Sequence, residues 1–227
     1  MPIALAAPLL FAVLTLRVPF APDGSVAGCP HAHALRMALE LKGVPYDIAP
    51  LDSAALPCSL EAPGGDELDI NALDAIHPEP PLSTAAAAST CAATASLLGA
   101  IERFLLSTAD EERAHKQDLL RSLCSLDALL ARADGPHAAG ADFTYADCAL
   151  LTAIYHLNVA GKALKGFDIP PQFDALEAYR ARGFESQLLY RTASLPAAVR
   201  WRWAVLAGND ALAQQAADEL RARMPQS

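Results

Sequence analysis

Residues 28–46 read GCPHAHALRMALELKGVPY, and this stretch decides the fold of the N-terminal part of the chain. Apolar side chains recur in it at helical spacing, and Gly43 supplies the left-handed residue that ends a helix. Cys29 stands before Pro30, which is the arrangement of an N-cap residue followed by proline at the first helical position. The stretch predicts a helix that begins at Pro30.

Short apolar segments on both sides of this helix are typical of β-strands. Residues 14–18, LTLRV, precede it, and a turn with two prolines and two glycines separates the two elements. After the helix, Val44, Tyr46 and Ile48 alternate toward one side, and Pro45 confines that strand to an edge of the sheet. The pattern predicts a βαβ unit.

The composition limits the class of protein. The chain has 227 residues, of which 53% are hydrophobic and only 6% aromatic, and this is typical of a mainly helical protein. The net charge of −9 argues against nucleic acid as a partner, because phosphate binding needs a clustered positive surface. The 5 cysteines are scattered and odd in number, which favours reduced thiols in the cytosol or an organelle stroma.

The second part of the chain has the pattern of an all-helical region. Thr144 and Asp147 form a capping box, in which each side chain satisfies a backbone N–H group at the start of a helix. The predicted helices cover residues 84–103, 116–132, 144–164, 171–182 and 197–223, the last with an interruption at residues 208–209.

Between the two parts, residues 57–81 predict only one short helix, at residues 67–76, between turn clusters. We therefore expect two domains, residues 1–80 and residues 84–227, joined by a linker. The apolar residues before Arg17 are too few to span a bilayer, which takes ~20, and no stable membrane association is expected. We interpret their PLLFAV part as a cover for a sheet edge, with an atypical targeting segment as the alternative.

The position of Cys29 favours thiolate over thiol, because the free N–H groups and the positive end of the helix dipole lower the pKa of an N-cap cysteine. Ala32 stands where a Cys-x-x-Cys motif would have its second cysteine. A monothiol mechanism is therefore predicted, with any disulfide formed to an external thiol. The alternatives are a buried packing residue, or a metal ligand together with His31 and His33. Either histidine is otherwise a solvated group, or a positive charge that holds the thiolate.

Other reactive side chains have simpler interpretations. Residues 200–203, RWRW, are half-buried packing or the lining of a ligand cleft, and His156 is a satisfied interior group or faces a cleft between domains. The remaining cysteines are predicted to be inert packing: Cys58, Cys91, Cys124 and Cys148.

Three segments resemble the dehydroascorbate reductase and chloride intracellular channel branch of the glutathione transferase superfamily. GCPHAHALRMALELKGVPYDIAPLD, residues 28–52, resembles the Cys-Pro helix and second strand of that family. FTYADCALLTAIYHLNVAGKALKGFDIP and ALEAYRARGFESQLLYRT, residues 143–170 and 175–192, resemble two successive helices of its helical domain. IYHLNVA and VPYDIAPLD look more like the reductases than the channels. The resemblance implies a thioredoxin-like domain followed by an all-helical domain.

The resemblance also implies glutathione-dependent reduction of dehydroascorbate. We further expect a monomer and no metal. Cys29 would attack the substrate and then carry glutathione as a mixed disulfide, which a second glutathione resolves. Arg17 falls where the reductases have a lysine and would keep a positive charge near the thiolate and the substrate oxygens; the alternative is an ordinary surface arginine at the end of a strand. The implied contacts are Arg17, Pro30 and His33 for the substrate and Asp66 and Glu67 for the γ-glutamyl amine of glutathione.

The sequence departs from the family at two places. Gly28 stands where the family has an acidic residue, and HAHA follows Cys-Pro where the family has Phe-Ser-Gln-Arg. Residues 62–66 lie where the family has a β-hairpin that pairs with glutathione, and the chain there passes almost directly to the next helix. We expect a marginal two-stranded sheet, with Asp66 and Glu67 in the first turn of that helix. A membrane-associating channel-like protein and a glutathione-binding protein without turnover are therefore the alternatives.

Overall fold

A small sheet packs beside a larger group of helices in the computed structural model, which describes residues 13–51 and 58–223. The sheet has the strand order β2-β1-β3. Its strands are β1 (Leu14–Val18), β2 (Tyr46–Pro50) and β3 (Ser59–Glu61). Strand β2 runs parallel to β1 and β3 runs antiparallel to it.

The predicted βαβ unit is confirmed. Leu14, Leu16 and Val18 of β1 are completely buried, as period-two alternation requires of a central strand. Helix α1 (Pro30–Lys42) makes the crossover to β2 and ends at Gly43, which has a φ of 63°. Strand β2 lies at an edge of the sheet, as predicted.

The prediction of a two-stranded sheet is wrong. Strand β3 pairs with β1 and places Leu60 opposite Leu16. Glu61 then bridges to Glu67 across a turn at residues 62–66, so a short form of the hairpin is present. Only Leu60 of this strand is buried, and three residues are too few to produce a period-two pattern in the sequence.

Asp66 and Glu67 do not begin the next helix, which corrects a second prediction. Helix α2 (Ile70–Ile76) starts after Asp69, whose carboxylate accepts the backbone N–H of Ala72 at 2.7 Å. Asp66 lies in the hairpin turn, where its carbonyl accepts the N–H of Ala62 at 2.8 Å. The true N-cap is three residues further along the chain than Asp66.

The helices predicted after residue 84 are confirmed, with ends that differ by a few residues. A π-helical segment, Leu157–Gly161, joins α5 to α6, and α9 and α10 are separated at residues 208–209 as predicted. The eight helices of the described residues in this region are α3 (Ala88–Leu106), α4 (Glu112–Leu130), α5 (Tyr145–His156), α6 (Lys162–Lys165), α7 (Asp174–Phe184), α8 (Gln187–Thr192), α9 (Pro196–Leu206) and α10 (Asp210–Arg221).

Helix α1 connects two hydrophobic clusters. Leu35 and Leu39 pack with the sheet, whereas Met37 and Ala38 belong to the core of the helical part. The last residue of the helix, Lys42, has a completely buried side chain that donates to the carbonyls of residues 77 and 80 and pairs with Asp74. The sheet and the helices therefore share one packed element.

Asp147 joins three parts of the helical region. Its carboxylate accepts the N–H of Thr144 at 3.0 Å, which confirms the capping box, and the N–H of Ala138 at 2.8 Å. It also accepts the hydroxyl of Tyr179 from α7 at 3.0 Å. Because the carboxylate is fully buried, each of these donors depends on it for a partner.

The PLLFAV segment that we expected to cover a sheet edge falls almost entirely outside the described residues, and only Val13 is described. In the part of the chain that the structure describes, no helix combines the length and hydropathy that a membrane crossing requires.

Replacing Asp147 with alanine should destabilise the fold by about 3 kcal/mol or more, because three buried donors lose their acceptor. Thermal and denaturant unfolding of the full chain measure this. Asp142→Ala is the matched control, since Asp142 is exposed in the loop before the same helix. Equal melting of the two variants would contradict the role of the buried carboxylate.

Candidate functional site

Cys29 occupies the N-cap of α1, as the sequence predicts. Its backbone is extended, with φ −117° and ψ 118°, and Pro30 is the first helical residue. The carbonyl of Cys29 accepts the N–H of His33 at 3.0 Å and begins the helical hydrogen-bond pattern. Cys29 is only 6% exposed.

A second sulfur lies beside Cys29. The Sγ atoms of Cys29 and Cys58 are 3.0 Å apart, and both side chains are buried. Cys58 immediately precedes β3, and the pairing of β3 with β1 brings it to the start of α1. Cys58 is buried in the core cluster of the sheet, as packing predicts, but its sulfur also contacts that of Cys29, a neighbour that the sequence does not predict.

The surroundings of Cys29 favour its thiolate. The hydrogen bond from Cys58 is the largest influence and, against the opposing effect of burial, lowers the pKa of Cys29 to about 6. Arg202, the backbone amide of Ala32 and His31 act in the same direction. The same hydrogen bond, together with burial, raises the pKa of Cys58, so Cys58 holds the proton and Cys29 the charge.

Arg202 is the cation of the site, and the sequence indicates it only as part of the RWRW segment, without a role beside Cys29. It lies on α9, is 7% exposed, and its Nη1 atom is buried without a hydrogen-bond partner among the described residues. Arg202 and Cys29 line a cavity of about 180 Å³ between α1 and the helices α3 and α9. The other lining residues are Pro30, His31, Leu98, Glu102, Trp203 and Leu206. Two residues of the RWRW segment, Arg202 and Trp203, therefore line a cleft.

A larger cavity of about 410 Å³ lies on the other side of His31, which lines both spaces. It is bounded by the hairpin, the start of α2 and the helices α3 and α5. Its polar lining includes Cys58, Glu67, Asp69, Asn71, Ser83 and Thr84. Its volume is in the range of sites that hold small organic ligands.

The structure brings together only some of the residues implied for the site. Pro30 lines the smaller cavity beside Cys29, and Glu67 lines the larger one. Asp66 is exposed in the hairpin turn. The guanidinium Nε of Arg17 donates to both carboxylate oxygens of Glu61, at 2.8 and 2.9 Å, so that cation is engaged on the sheet.

His33 is placed in the interior and not in either cavity. It is 2% exposed, and its Nε2 is 3.1 Å from the carbonyl oxygen of Leu189 in α8. Burial lowers its pKa to about 4, so the ring is neutral near pH 7 and supplies no charge to the thiolate. The resemblance implies that His33 contacts the substrate, but His33 lines neither cavity.

The other histidines and cysteines also have defined places. His156 is completely buried and its Nδ1 accepts the indole N–H of Trp203 at 3.2 Å. Cys148 is buried, as predicted, but Cys124 is exposed, so its assignment as packing is wrong. Within residues 13–51 and 58–223, no group of three or more His, Cys, Asp or Glu side chains is placed to hold a metal ion.

Gly28, the residue before Cys29, touches α9 directly. A Cβ atom there would lie 2.3 Å from the Cα of Val199. The N–H of Gly28 donates to the carbonyl of Ala198 at 3.3 Å, and Ser194 Oγ donates to the carbonyl of Ala27 at 3.2 Å. This approach leaves no space for the acidic side chain that the family has at this position.

Comparisons with known proteins agree with this architecture. The family model described as glutathione S-transferase, C-terminal domain, matches residues 95–182. Rice "probable glutathione S-transferase DHAR2, chloroplastic" is 26% identical over 191 residues, which are 77% of this chain and 69% of that protein. Rice "probable glutathione S-transferase DHAR1, cytosolic" is 28% identical over 188 residues, which are 75% of this chain and 86% of that protein.

Solved structures show the same relationship. The crystal structure of Chlamydomonas reinhardtii dehydroascorbate reductase superposes with a TM-score of 0.72 at 25% identity, covering 85% of this chain and 98% of that one. The chloride intracellular channel homologue EXC-4 of Caenorhabditis elegans shares the fold, with a TM-score of 0.70 at 16% identity over 93% of this chain and 98% of that one.

Substituting Gly28 with alanine should lower the free energy of unfolding by about 1–3 kcal/mol, since the added methyl group overlaps the backbone of α9. Thermal unfolding measures the loss. Gly64→Ala is the matched control, because a Cβ there would meet nothing closer than an Asp66 carboxylate oxygen at 4.0 Å. A Gly28→Ala variant as stable as the control would show that α9 is not seated on this loop.

Proposed function

Because the chain belongs to the glutathione transferase superfamily, in the branch of the dehydroascorbate reductases and chloride intracellular channels, we propose that it is a glutathione-dependent thiol reductase acting through Cys29. The observation that carries this proposal is the N-cap sulfur of Cys29, which has a thiol donor at 3.0 Å and a buried cation beside the same cavity. These neighbours keep the sulfur ionised, and a thiolate is the nucleophilic form of cysteine.

The proposed substrate is dehydroascorbate. The Cys29 thiolate adds to a carbonyl carbon of the substrate, and a carbon–sulfur bond forms. A glutathione thiolate then attacks the Cys29 sulfur, the carbon–sulfur bond breaks, and its electron pair leaves with the substrate as ascorbate. A second glutathione attacks the mixed disulfide, which releases glutathione disulfide and restores the Cys29 thiolate. Two glutathione thiols are oxidised for each substrate reduced.

The two cavities suit the two ligands. The space of about 180 Å³ beside Cys29 and Arg202 receives the oxidised substrate, and the positive charge of Arg202 stabilises the oxygen that gains negative charge. The space of about 410 Å³ receives glutathione, and Glu67 and Asp69 accept its amine. That Asp66 and Arg17 contact a ligand stays a prediction. The resemblance implied that Arg17 supplies the positive charge near the thiolate, and we assign that role to Arg202.

The remaining proposals follow from the family and the composition. The boundary between a thioredoxin-like domain and a helical domain is placed between residues 80 and 84. The enzyme acts as a monomer on small molecules, without a metal. A reducing compartment suits its free thiols, and cytosol is proposed before plastid stroma.

Glutathione-dependent formation of ascorbate from dehydroascorbate, followed by absorbance, tests the proposal. Cys29→Ser should lower kcat/KM by about three orders of magnitude, because serine is not ionised at neutral pH. Arg202→Met should lower it by about tenfold through the loss of positive charge. Cys124→Ser is the control with unchanged rate, since Cys124 is an exposed cysteine away from both cavities.

Two results would contradict the proposal. Saturable glutathione binding without turnover of the wild type would indicate a binding protein. Binding to liposomes without reductase activity would indicate a protein of the channel type.

A further inference from the structure

The sulfurs of the two cysteines of the site lie close to disulfide distance. Cys29 and Cys58 come from different elements, yet their sulfurs are 3.0 Å apart. A disulfide bond is about 2.05 Å long, so the two sulfurs need to approach by only about 1 Å. A rotation of either short side chain produces a movement of that size.

The place of Cys58 in the fold keeps this distance short. Its neighbour Ser59 pairs with Arg17 of β1, and Leu60 pairs with Leu16 in the buried centre of the sheet. Cys29 is fixed on the opposite side by the first turn of α1 and by the contact of Gly28 with α9. Cys29 is therefore carried by packed backbone, and Cys58 directly precedes a strand that is paired in the sheet.

The charge distribution changes when Cys29 becomes oxidised. In the reduced site, the Cys29 thiolate holds the proton of Cys58 by accepting its S–H group. Once Cys29 is bonded to carbon or to another sulfur, it carries no negative charge and no longer holds that proton. The positive charge of Arg202 remains, and it lowers the pKa of Cys58 as it does that of Cys29. Oxidation of Cys29 therefore favours the thiolate of Cys58, which is its nucleophilic form.

We propose that Cys58 is an internal resolving thiol, which attacks oxidised Cys29 and closes a Cys29–Cys58 disulfide that glutathione later reopens. This inference rests on the proposed function and changes the place of glutathione in it. Glutathione then acts as the reductant of a protein disulfide, and the first thiol to meet the Cys29 adduct belongs to the chain itself.

The reaction balances without an additional oxidant. Dehydroascorbate adds to the Cys29 thiolate and forms a carbon–sulfur bond. Cys58 sulfur attacks Cys29 sulfur, the disulfide forms, and the carbon–sulfur electron pair and the Cys58 proton leave with the substrate as the ascorbate monoanion. Two electrons pass from the two cysteines to the substrate. Two glutathione molecules then reduce the disulfide and leave as glutathione disulfide.

A single-turnover experiment without glutathione tests the inference. The fully reduced full-length chain, freed of glutathione under anaerobic conditions, is mixed with one equivalent of dehydroascorbate. We expect about one equivalent of ascorbate per chain, the loss of two thiols, and a linked pair of peptides containing Cys29 and Cys58 in the mass spectrum. Cys58→Ser keeps a hydrogen-bond donor but no resolving sulfur, and its ascorbate yield should fall by about tenfold or more.

A second measurement uses glutathione disulfide as the oxidant and does not depend on the choice of substrate. The wild type should release glutathione and lose two hydrogens in mass, whereas Cys58→Ser should retain one glutathionyl group on Cys29. Cys124→Ser should behave as the wild type in both experiments, because its sulfur is exposed and outside the site.

The outcomes separate this inference from the proposed function. Steady-state reduction with glutathione, combined with no ascorbate in its absence, would overturn the resolving role and leave the proposed function standing. Accumulation of the Cys29–glutathione mixed disulfide in the wild type would overturn it as well. A Cys29–Cys58 disulfide from glutathione disulfide, without any dehydroascorbate reduction, would support the internal pair and refute the proposed substrate.

Discussion

Cys29 has to carry its charge in a place where water is almost excluded, and this constraint organises the site. Burial of an ion costs free energy unless donors and opposite charge surround it. Cys58 supplies a donor at 3.0 Å, Arg202 supplies a buried positive charge, and the first turn of α1 supplies the amide of Ala32. Each neighbour comes from a different part of the chain, so the thiolate exists only when sheet, crossover helix and α9 are assembled together.

The packing of α9 on the loop before Cys29 links the fold to the chemistry. The absence of a side chain at Gly28 lets the backbone at Val199 approach the loop, and this approach places Arg202 beside the sulfur. A side chain at position 28 would overlap the backbone of α9 at Val199. Gly28 therefore keeps a negative side chain away from the sulfur and allows a cation of the helical part to lie beside the same cavity.

The sequence predicts the local features well, because their determinants lie within a few residues of each other. The N-cap at Cys29, the end of α1 at Gly43 and the capping box at Thr144 are all of this kind, and all are confirmed. Strand β3 was missed because it has one buried residue, and the start of α2 was placed too early because Asp66, Glu67 and Asp69 look alike as first-turn acids. The site partners Cys58 and Arg202 are 29 and 173 positions from Cys29, and only the assembled fold brings them to its sulfur.

Titration of the thiolate absorbance in the ultraviolet, as the difference between the wild type and Cys29→Ser, tests the central claim most directly. With the pKa of Cys29 lowered to about 6, the signal should be complete near neutral pH and should disappear as the pH falls through 6. In a Cys58→Ala background the midpoint should move upward, because the main donor to the thiolate is gone. A midpoint near 8.5, the ordinary value for cysteine, that does not respond to this substitution would contradict the account.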